Sequence, residues 1–382
     1  MARPIAPRPT VAYVDRSALQ WNLRAIASRL ASRAAETGRR APGVIAVVKA
    51  NAYGHGAVPA ARAFAEAGAA MLACADIEEG VALRESGIEI PILVFGALGV
   101  SDLAGVFTHR LTPTLSTPSA ARALERAAAA RGVRLHCHLK IDTGMHRLGF
   151  RHDNLRRTLP AVIASPHLAI DAVYTHFATA DDPDHPLFAA QQARFERAWA
   201  ELVGLGLDPG TARHAANSAA LLRDERVWLD FVRPGLLLYG VVPPPLANAL
   251  DLRPALRLVS RVVAVKGLRP GDAVGYGARY VAREPRTIAV VPAGYADGLD
   301  VRLAGRGVVL LRGRRAPIVG SVCMDMMTID VTGLPAEPGD EVVILGSQGG
   351  DRLDANEMAA AVGTIPYELL CRVGTRIERV YR

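Results

Sequence analysis

Short runs of β-forming residues alternate with longer stretches of helical period between about residue 44 and residue 240. The longer stretches, such as 56–68, 118–131 and 188–205, have enough residues for helices that cover a sheet. This alternation is typical of repeated βα units around a parallel sheet. Since eight parallel strands close a (β/α)8 barrel of the TIM type, we predict an α/β fold with this barrel, and a doubly wound open sheet is the alternative. The eight candidate strands are at 44–49, 70–75, 91–96, 111–115, 134–141, 170–177, 212–217 and 231–239.

The pattern changes beyond the eighth predicted strand. Three consecutive prolines resemble a linker, and the sequence that follows is rich in Val, alternating and interrupted by Gly. This pattern predicts a separate, mostly-β domain over 243–382 after a barrel domain over 10–242, and the extended segment 10–15 is a candidate additional strand of the β domain. A short helix is expected to begin at Asp354 as N-cap, with Glu357 as its capping-box partner. The other strands of this domain are expected at 256–265, 287–292, 308–311, 326–331 and 341–345.

Composition and charge restrict the partners. The chain has 382 residues, of which 50% are hydrophobic and 21% charged, as expected for a globular protein with a sizeable core. Its formal net charge is +8, but the basic residues are dispersed as singles and pairs without interleaved aromatic residues. This dispersion argues against nucleic acid and anionic membranes as partners, and we assign the charge no role.

We expect a cytoplasmic protein with reduced cysteines. The N-terminal sequence has no apolar stretch of the length that a secretory signal needs, and no window is apolar over a length that spans a membrane. Cys74, Cys137, Cys323 and Cys371 form no CxxC pair and are too few for a disulfide framework in so long a chain.

Polar residues lie at the ends of the predicted strands, where a barrel carries its catalytic groups. The set comprises Lys49 at the end of the first strand, His136, His138 and Lys140 on the fifth with Asp142 and Arg147 after it, His176 at the end of the sixth, Asn217 and Ser218 at the end of the seventh, and Arg233 and Gly235 in the eighth. We expect His136, His138 and Lys140 to share one face of the fifth strand.

Lys49 ends an all-apolar run, and two interpretations are open. Its stem could extend to solvent, or desolvation could lower its pKa. A lysine without its proton can form a Schiff base with an aldehyde such as pyridoxal 5'-phosphate (PLP), and can later transfer protons. Barrels commonly bind phosphate after the last two strands, which suits Ser218 and Gly235, although Ser218 could instead cap the next helix. Arg233 can only donate to a pyridine nitrogen, and this would keep the nitrogen unprotonated.

The sequence HCH at 136–138 raises another possibility, a metal-dependent hydrolase with Lys140 as a bridging carbamate. Two histidines at this spacing can bind a metal. However, only His176 adds to such a set at the other strand ends, and two histidines in one strand are more often buried polar groups with satisfied hydrogen bonds. We therefore disfavour a metal site.

Motifs along the chain resemble those of the alanine racemase family, in the family's order, from about residue 10 to the end. The first, VVKANAYGHG at 47–56, resembles the segment to which these enzymes attach PLP. The others are KIDTGMHRLGF (140–150), YTHFA (174–178), Asn217-Ser218, RPGLLLYG (233–240), VGYGARY (274–280), PAGYADG (292–298), GSVCMDMMTIDVT (320–332) and IPYELLC (365–371).

The resemblance implies a PLP-dependent amino-acid racemase that forms a homodimer, with active sites between the barrel of one subunit and the β domain of the other. Lys49 would carry the cofactor and act as one base, and Tyr276 from the second subunit would act as the other. Lys140 matches a lysine that is carbamylated in the family, where it orients the arginine matched by Arg147. The family further implies cofactor contacts by Tyr53, Arg147, His176, Asn217, Ser218, Arg233, Gly235 and Tyr367, and substrate contacts by Arg147, Tyr295 and Met324.

The implied reaction interconverts L-alanine and D-alanine and would supply D-alanine for peptidoglycan. Two bases on opposite faces suit this reaction, because a proton leaves one face of Cα and returns on the other. The alternatives are a racemase of broader specificity, a barrel-type PLP decarboxylase and a non-enzymatic cofactor carrier. Decarboxylases of this kind place an acidic residue at the ring nitrogen, whereas the match here is Arg233. The absent export signal disfavours a broad-specificity racemase, and a complete second domain with Tyr276 argues against a carrier.

Overall fold

The computed structural model describes residues 8–96, 102–246 and 250–382, and these residues pack into two units. The first, which we term the barrel unit, contains Leu19–Ala52 and Ala57–Arg253. The second, the β unit, contains the residues before Leu19 together with Tyr53–Gly56 and Pro254–Arg382. The domain limits expected from the sequence stay a prediction, since this division by packing interleaves the two units along the chain.

Eight parallel strands form the barrel. Each strand pairs with the next, and the eighth pairs in turn with the first, with Phe231 opposite Gly43, so that the sheet closes on itself. The closed ring confirms the predicted barrel and excludes the open sheet. The strands are β1 (Gly43–Val47), β2 (Met71–Cys74), β3 (Ile92–Val94), β4 (Thr112–Leu115), β5 (Leu135–Asp142), β6 (Leu168–Tyr174), β7 (Ala212–Asn217) and β8 (Phe231–Arg233), and the short strand Phe150–Arg151 pairs with β5.

Several strands end earlier than predicted at the rim of the barrel. β8 ends at Arg233 and a 3-10 helix, Leu236–Tyr239, follows it, so the predicted eighth strand was too long. Pro234 ends this strand because proline has no N–H to donate to a neighbouring strand. β1 and β6 also end before their predicted limits, and Lys49 and His176 therefore lie in the connections that follow them.

Helices follow most barrel strands and bury one face each. The helix Pro118–Ala130 shows the pattern: Thr117 caps it by accepting from Ala120 N at 3.1 Å, and its buried residues recur at helical spacing. No helix in the described part of the chain is long and apolar enough to cross a membrane. The helices up to residue 223 are α1 (Arg16–Thr37), α2 (Ala57–Glu66), α3 (Ile77–Glu85), α4 (Ala104–Thr108), α5 (Pro118–Ala130), α6 (Leu155–Thr158), α7 (Pro160–Ile163), α8 (Leu187–Gly204) and α9 (Ser218–Arg223), with a 3-10 turn at Glu225–Val227.

One mixed, mostly antiparallel sheet dominates the β unit, which confirms the predicted mostly-β domain. Val11–Val14 pairs antiparallel with Leu256–Arg261 and parallel with Glu378–Tyr381, so the N-terminal segment does add a strand. In spatial order the strands are Ala264–Leu268, Arg286–Val291, Met327–Asp330, Arg314–Val319, Val308–Leu311, Glu341–Gln348, Leu256–Arg261, Val11–Val14 and Glu378–Tyr381. Asp351–Leu353 pairs with Glu341–Gln348, and a separate ribbon consists of Ala273–Val274 and Tyr280–Val281.

Two local predictions in the β unit have different outcomes. The single strand expected at 256–265 is two strands, because the backbone changes its pairing partner there from Glu341–Gln348 to Arg286–Val291. The helix begins after Asp354 as predicted, and the Asp354 carboxylate accepts from Glu357 N at 2.9 Å. The reciprocal capping-box bond is not formed, because the Glu357 carboxylate pairs with Arg315. The helices of this unit are α10 (Ala355–Ala361) and α11 (Pro366–Cys371), and its 3-10 turns are Tyr276–Ala278, Tyr295–Asp297 and Val301–Leu303.

Candidate active site

Lys49 is half-buried at the start of a strained turn that follows β1. The next four residues, Ala50–Tyr53, all have left-handed backbone conformations, with φ of 52–53°. For residues with a Cβ this conformation costs roughly 1–2 kcal/mol each, so four in succession require partners that hold them. Ala52 N donates to Val48 O at 2.9 Å, and Asn51 Oδ1 accepts from Ala57 N at 2.8 Å at the start of α2. These bonds fix the segment that carries Lys49.

Arg233, at the end of β8, is a buried cation held by neutral acceptors. It is 3% exposed, and its Nη2 donates to the carbonyl oxygens of Thr175 at 2.7 Å and Ala215 at 2.9 Å. Its Nη1 donates to His214 Nδ1 at 2.6 Å. Burial lowers the pKa of Arg233 to about 10, so the guanidinium keeps its proton at neutral pH. It is therefore a donor fixed in one orientation.

Two histidines next to Arg233 are held neutral. Because His214 Nδ1 accepts from Arg233, we place the His214 proton on Nε2, which donates to His138 Nδ1 at 3.0 Å. Burial, followed by the charge of Arg233, lowers the pKa of His138 to about 3 and that of His214 well below its ordinary value. The Tyr174 ring stacks on His214 with 4.6 Å between ring centroids. His214 was not among the predicted site residues, although its place inside a predicted barrel strand was an available signal.

The common face expected for His136 and His138 stays a prediction, and the two histidines differ in burial. The pairing of β5 with β6 shifts in register between Cys137 and His138, and the additional residue of this bulge is Asp171 on β6. His136 is exposed and lies 3.0 Å from Asp171, whereas His138 is buried. Within the described residues, no group of three or more His, Cys, Asp or Glu side chains could hold a metal ion.

Lys140 is a buried lysine among other cations. It is 5% exposed, and burial together with the positive charges of Arg147, Arg233 and Lys49 lowers its pKa to about 8. The carboxylate of Asp142 acts in the opposite direction. Charges interact in this way only when they are close together. The four basic residues therefore form one cationic cluster at the strand ends of the barrel. Near pH 8 a large share of Lys140 is a neutral amine.

A buried glutamine joins the loops after β5 and β6. Gln191 on α8 is fully buried, and its amide nitrogen donates to Thr143 Oγ1 at 3.2 Å and to His176 O at 2.9 Å. Its amide oxygen accepts from Ala178 N at 2.9 Å. The two loops that Gln191 connects carry Arg147 and His176. Burial and the neighbouring cations lower the pKa of His176 well below its ordinary value, so this ring is also neutral.

Ser218 and Gly235 are joined where β7 and β8 end. Ser218 Oγ accepts from Gly235 N at 2.9 Å and from Leu237 N at 3.4 Å. The alternative role of Ser218 as a helix cap is wrong, because Asn217 caps α9 by accepting from Ala220 N at 2.9 Å. Ser218 is buried, and among the described residues its own O–H has no acceptor. The hydroxyl can therefore donate to a ligand.

The predicted tyrosines of the β unit fall into a buried and an exposed group. Tyr53 is buried, and its ring centroid lies 6.0 Å from that of Tyr367. Burial raises the pKa of Tyr53, so it remains a protonated phenol that can donate a hydrogen bond. These two are the tyrosines expected near the cofactor phosphate.

Tyr276, Tyr295 and Met324 lie on the surface of the β unit, 79%, 43% and 52% exposed. One segment of backbone connects them: Ser321 Oγ donates to Tyr276 O at 2.7 Å, and Cys323 O accepts from Tyr295 N at 2.9 Å. Large apolar side chains that are exposed together mark an interaction surface.

The barrel, the cationic cluster with Lys49 and the separate β unit together define the class: a two-unit protein with a (β/α)8 barrel and a cationic site at its strand ends. Family descriptions match both units, "Alanine racemase, N-terminal domain" at residues 14–243 and "Alanine racemase, C-terminal domain" at residues 255–381. The chain belongs to the alanine racemase family.

Individual relatives agree over nearly the full length. The alanine racemase of Symbiobacterium thermophilum is 43% identical over 376 residues, which cover 98% of this chain and 97% of the relative. That of Halothermothrix orenii is 40% identical over 377 residues, with the same coverage. The crystal structure of alanine racemase from Streptomyces lavendulae matches with a TM-score of 0.93 at 36% identity and covers 99% of this chain and 98% of that one. The Bacillus anthracis alanine racemase with bound L-Ala-P matches with a TM-score of 0.89 at 34% identity, covering 100% and 96%.

Proposed function

We propose that this racemase interconverts L-alanine and D-alanine with PLP bound in the barrel unit, using Lys49 and Tyr276 as its two bases. The observation that carries the proposal is the cationic cluster of Lys49, Lys140, Arg147 and Arg233 beside neutral histidines. Several positive charges in a partly buried site are stabilised by an anionic occupant. PLP provides a phosphate and a phenolic oxygen, and alanine provides a carboxylate.

The donors in the barrel unit fit PLP. The buried hydroxyl of Ser218 and the backbone at Gly235 would hold the phosphate, and Arg233 would donate to the ring nitrogen. Arg147 would lie near the phenolic oxygen, and Lys49 would carry the aldehyde carbon. Asn217, His176, Tyr53 and Tyr367 complete the expected cofactor residues. When bound, PLP provides an electron sink for the carbanion that forms as Cα of the amino acid loses its proton.

Lys49 and Tyr276 would move protons on opposite faces of that carbon. Lys49 removes the proton of D-alanine and Tyr276 that of L-alanine, and in each direction the other residue returns a proton. His176 would connect Tyr276 to Arg233, whose Nη2 lies 3.4 Å from His176 Nδ1. Arg147, with Tyr295 and Met324, would contact the substrate.

Arg233 also favours a racemase over a decarboxylase. A guanidinium donates and does not accept, so a ring nitrogen bonded to Arg233 stays unprotonated. An unprotonated ring withdraws electrons less strongly, which limits side reactions of the carbanion such as transamination. The neutral acceptors that hold Arg233 keep it in this orientation.

The proposal includes a homodimer with shared active sites. Tyr276 is 79% exposed, and Met324 and Tyr295 lie on the same surface of the β unit. A base that exposed is available to a second copy of the chain, which would cover the surrounding apolar side chains as well. We further propose that the enzyme works in the cytoplasm and supplies D-alanine for peptidoglycan.

The test is to incubate the purified protein with PLP and L-alanine and to follow D-alanine by chiral chromatography. We expect an equal mixture of the two isomers, because they have the same free energy, and we expect no conversion by Lys49→Ala. If PLP binds and no D-alanine forms, racemisation of alanine is contradicted. The same assay with other amino acids, and with detection of released carbon dioxide, then separates a broader racemase from a decarboxylase.

A further inference from the structure

The turn that carries Lys49 has a second anchor, Glu79 on α3. The two carboxylate oxygens accept from the ends of different strands, Oε1 from Ala50 N at 2.7 Å and Oε2 from Ala75 N at 2.7 Å. Ala50 lies beyond the end of β1 and Ala75 follows β2, its neighbour in the barrel. One carboxylate therefore joins two adjacent strand ends, directly beside Lys49.

From its position in α3, Glu79 would be expected to bind the amide of the N-cap residue. Asp76 caps α3 by accepting from Glu79 N at 2.8 Å, and a Glu at this third helical position usually returns to the amide of the N-cap residue. Here the carboxylate binds the amides of Ala75 and Ala50. Hydrogen bonds from backbone N–H groups to a carboxylate are roughly twice as strong as those between neutral groups. Glu79 thus makes a long-range contact to the β1 end where a local capping contact was expected.

This contact falls where the backbone needs support. Four consecutive residues with a Cβ, Ala50–Tyr53, are left-handed, and the two alanines have no polar side chain to compensate for the strain. Ala50 N is the first amide after Lys49, and Ala52 N and the Asn51 side chain are the other anchored groups. The bond from Glu79 therefore fixes the direction in which the chain leaves Lys49.

We propose that Glu79 is a positioning residue for Lys49: it holds the Ala50 amide, keeps the turn left-handed, and so sets the angle at which the lysine amine meets the aldehyde carbon of PLP. The inference rests on the proposed role of Lys49 as the residue that carries the cofactor. Glu79 itself takes no part in proton transfer.

The test compares E79Q with E78Q. Glutamine has the size of glutamate, but it offers one acceptor oxygen, and its NH2 group opposes one of the two amides that Glu79 binds. Glu78 is the matched control, since it is the exposed neighbour in the same helical turn and loses the same charge. Among the described residues its side chain has no hydrogen bond or ion pair.

Cofactor binding and its orientation are the readouts. We expect the dissociation constant of the apoprotein for PLP to rise about tenfold in E79Q, as for loss of a residue that orients a direct ligand, and to stay within about twofold of wild type in E78Q. At full loading, the visible circular dichroism of bound PLP should change in E79Q alone. A contact that only stabilises the fold would not alter this signal. E79Q that binds PLP as tightly as E78Q, with the same dichroism, would overturn the proposal.

A second measurement needs no variant. In the wild-type apoprotein the Ala50 amide belongs to an exposed residue, yet its bond to Glu79 should slow hydrogen exchange about tenfold or more relative to an unbonded amide. Exchange at the unprotected rate would also overturn the proposal. If the wild-type protein binds no PLP at all, the proposed function itself is contradicted. This outcome is established before any variant is made.

Discussion

At the scale of single residues, the barrel unit buries a guanidinium without an acidic partner. Arg233 is bonded to two carbonyl oxygens and to the neutral His214, and no carboxylate pairs with it among the described residues. A carboxylate would neutralise the charge, whereas these dipoles stabilise it and leave a positive potential for an anionic ligand. The cost is that the histidines beside Arg233 must stay neutral, because a second buried positive charge would repel the first.

Because these histidines are neutral, we predict that the stability of the folded protein decreases in acid. The pKa values of His138, His176 and His214 are lowered in the folded protein, so below pH 6.5 the unfolded chain binds more protons than the native one. For His138, whose pKa is lowered to about 3, the contribution is complete above about pH 6.5 and is lost as the pH falls toward 3, at about 1.4 kcal/mol per pH unit. His176 and His214 change the stability in the same direction. Denaturant unfolding between pH 7 and pH 4 measures this slope.

The variant His138→Asn measures the contribution of one of the three histidines to this pH dependence. The Asn amide oxygen can replace Nδ1 as the acceptor for His214, and Asn does not titrate. The variant should keep the fold at pH 7.5 and reduce the slope by about 1.4 kcal/mol per pH unit. A slope equal to that of wild type would show that His138 is not held neutral.

We predict that the amine of Lys140 forms a carbamate and that the carbamylated fraction depends on pH. Only a neutral amine adds carbon dioxide, and with its pKa lowered to about 8 the neutral fraction grows as the pH rises through that value. The carbamate would place a negative charge among Arg147 and Arg233. With 13C-labelled bicarbonate, a carbamate carbon resonance should increase from pH 7 to pH 9 in wild type and be absent in Lys140→Gln. No resonance in wild type at saturating bicarbonate would count against carbamylation.

At the scale of secondary-structure elements, strands with a regular pattern of apolar residues could be predicted from the sequence. Irregularities such as β-bulges could not. β1, β2 and β3 are recognisable because each is a buried, mainly apolar run of limited length. The bulge at Asp171 of β6 could not be predicted, because a register shift depends on the neighbouring strand and leaves the alternation of residue types unchanged. The difference in burial between the exposed His136 and the buried His138 could not be predicted for the same reason. Residues such as Gln191 and Glu79 could not be found either, since their partners are far away in sequence.

Substitution of Gln191 on α8 tests whether this helix orients the loops after β5 and β6. Gln191→Leu removes two donors and an acceptor and leaves His176 O and Ala178 N without their partner. We expect kcat for alanine racemisation to fall about 10- to 100-fold, as for other losses of a residue that orients a direct ligand. Steady-state kinetics and thermal unfolding should be measured together. Gln192→Leu, on the same helix and less buried, is the control and should stay within about twofold of wild type for kcat.

Gln191→Glu separates orientation from packing. It keeps the volume and the oxygen that accepts from Ala178 N, but it places a second oxygen against the carbonyl of His176. A purely packing role predicts near-normal kcat for Gln191→Glu. The orienting role predicts a loss at least as large as that of Gln191→Leu, and equal activity of Gln191→Glu and wild type would rule it out.

At the scale of the whole molecule, the proposed chemistry is divided between two units. The barrel unit holds Lys49 and the cationic cluster, whereas the β unit presents Tyr276 on an apolar, exposed surface with Tyr295 and Met324. A closed dimer with twofold symmetry would cover this surface on both copies at once. Such an arrangement makes activity depend on association, because each site needs residues of two chains.

Mixing two inactive variants tests this division. Lys49→Ala lacks the lysine base and Tyr276→Phe lacks the tyrosine base, so each homodimer should be nearly inactive. Random exchange of subunits makes about half of the dimers hybrid, and in a hybrid one site collects both substitutions while the other has both wild-type residues. The mixture should therefore recover about one quarter of the wild-type activity, since half of the sites in half of the dimers are intact. Mass spectrometry of the intact dimers verifies that exchange has occurred. Hybrid dimers without racemase activity would show that Lys49 and Tyr276 of the same chain form the site, because only then does every site in the mixture carry a substitution.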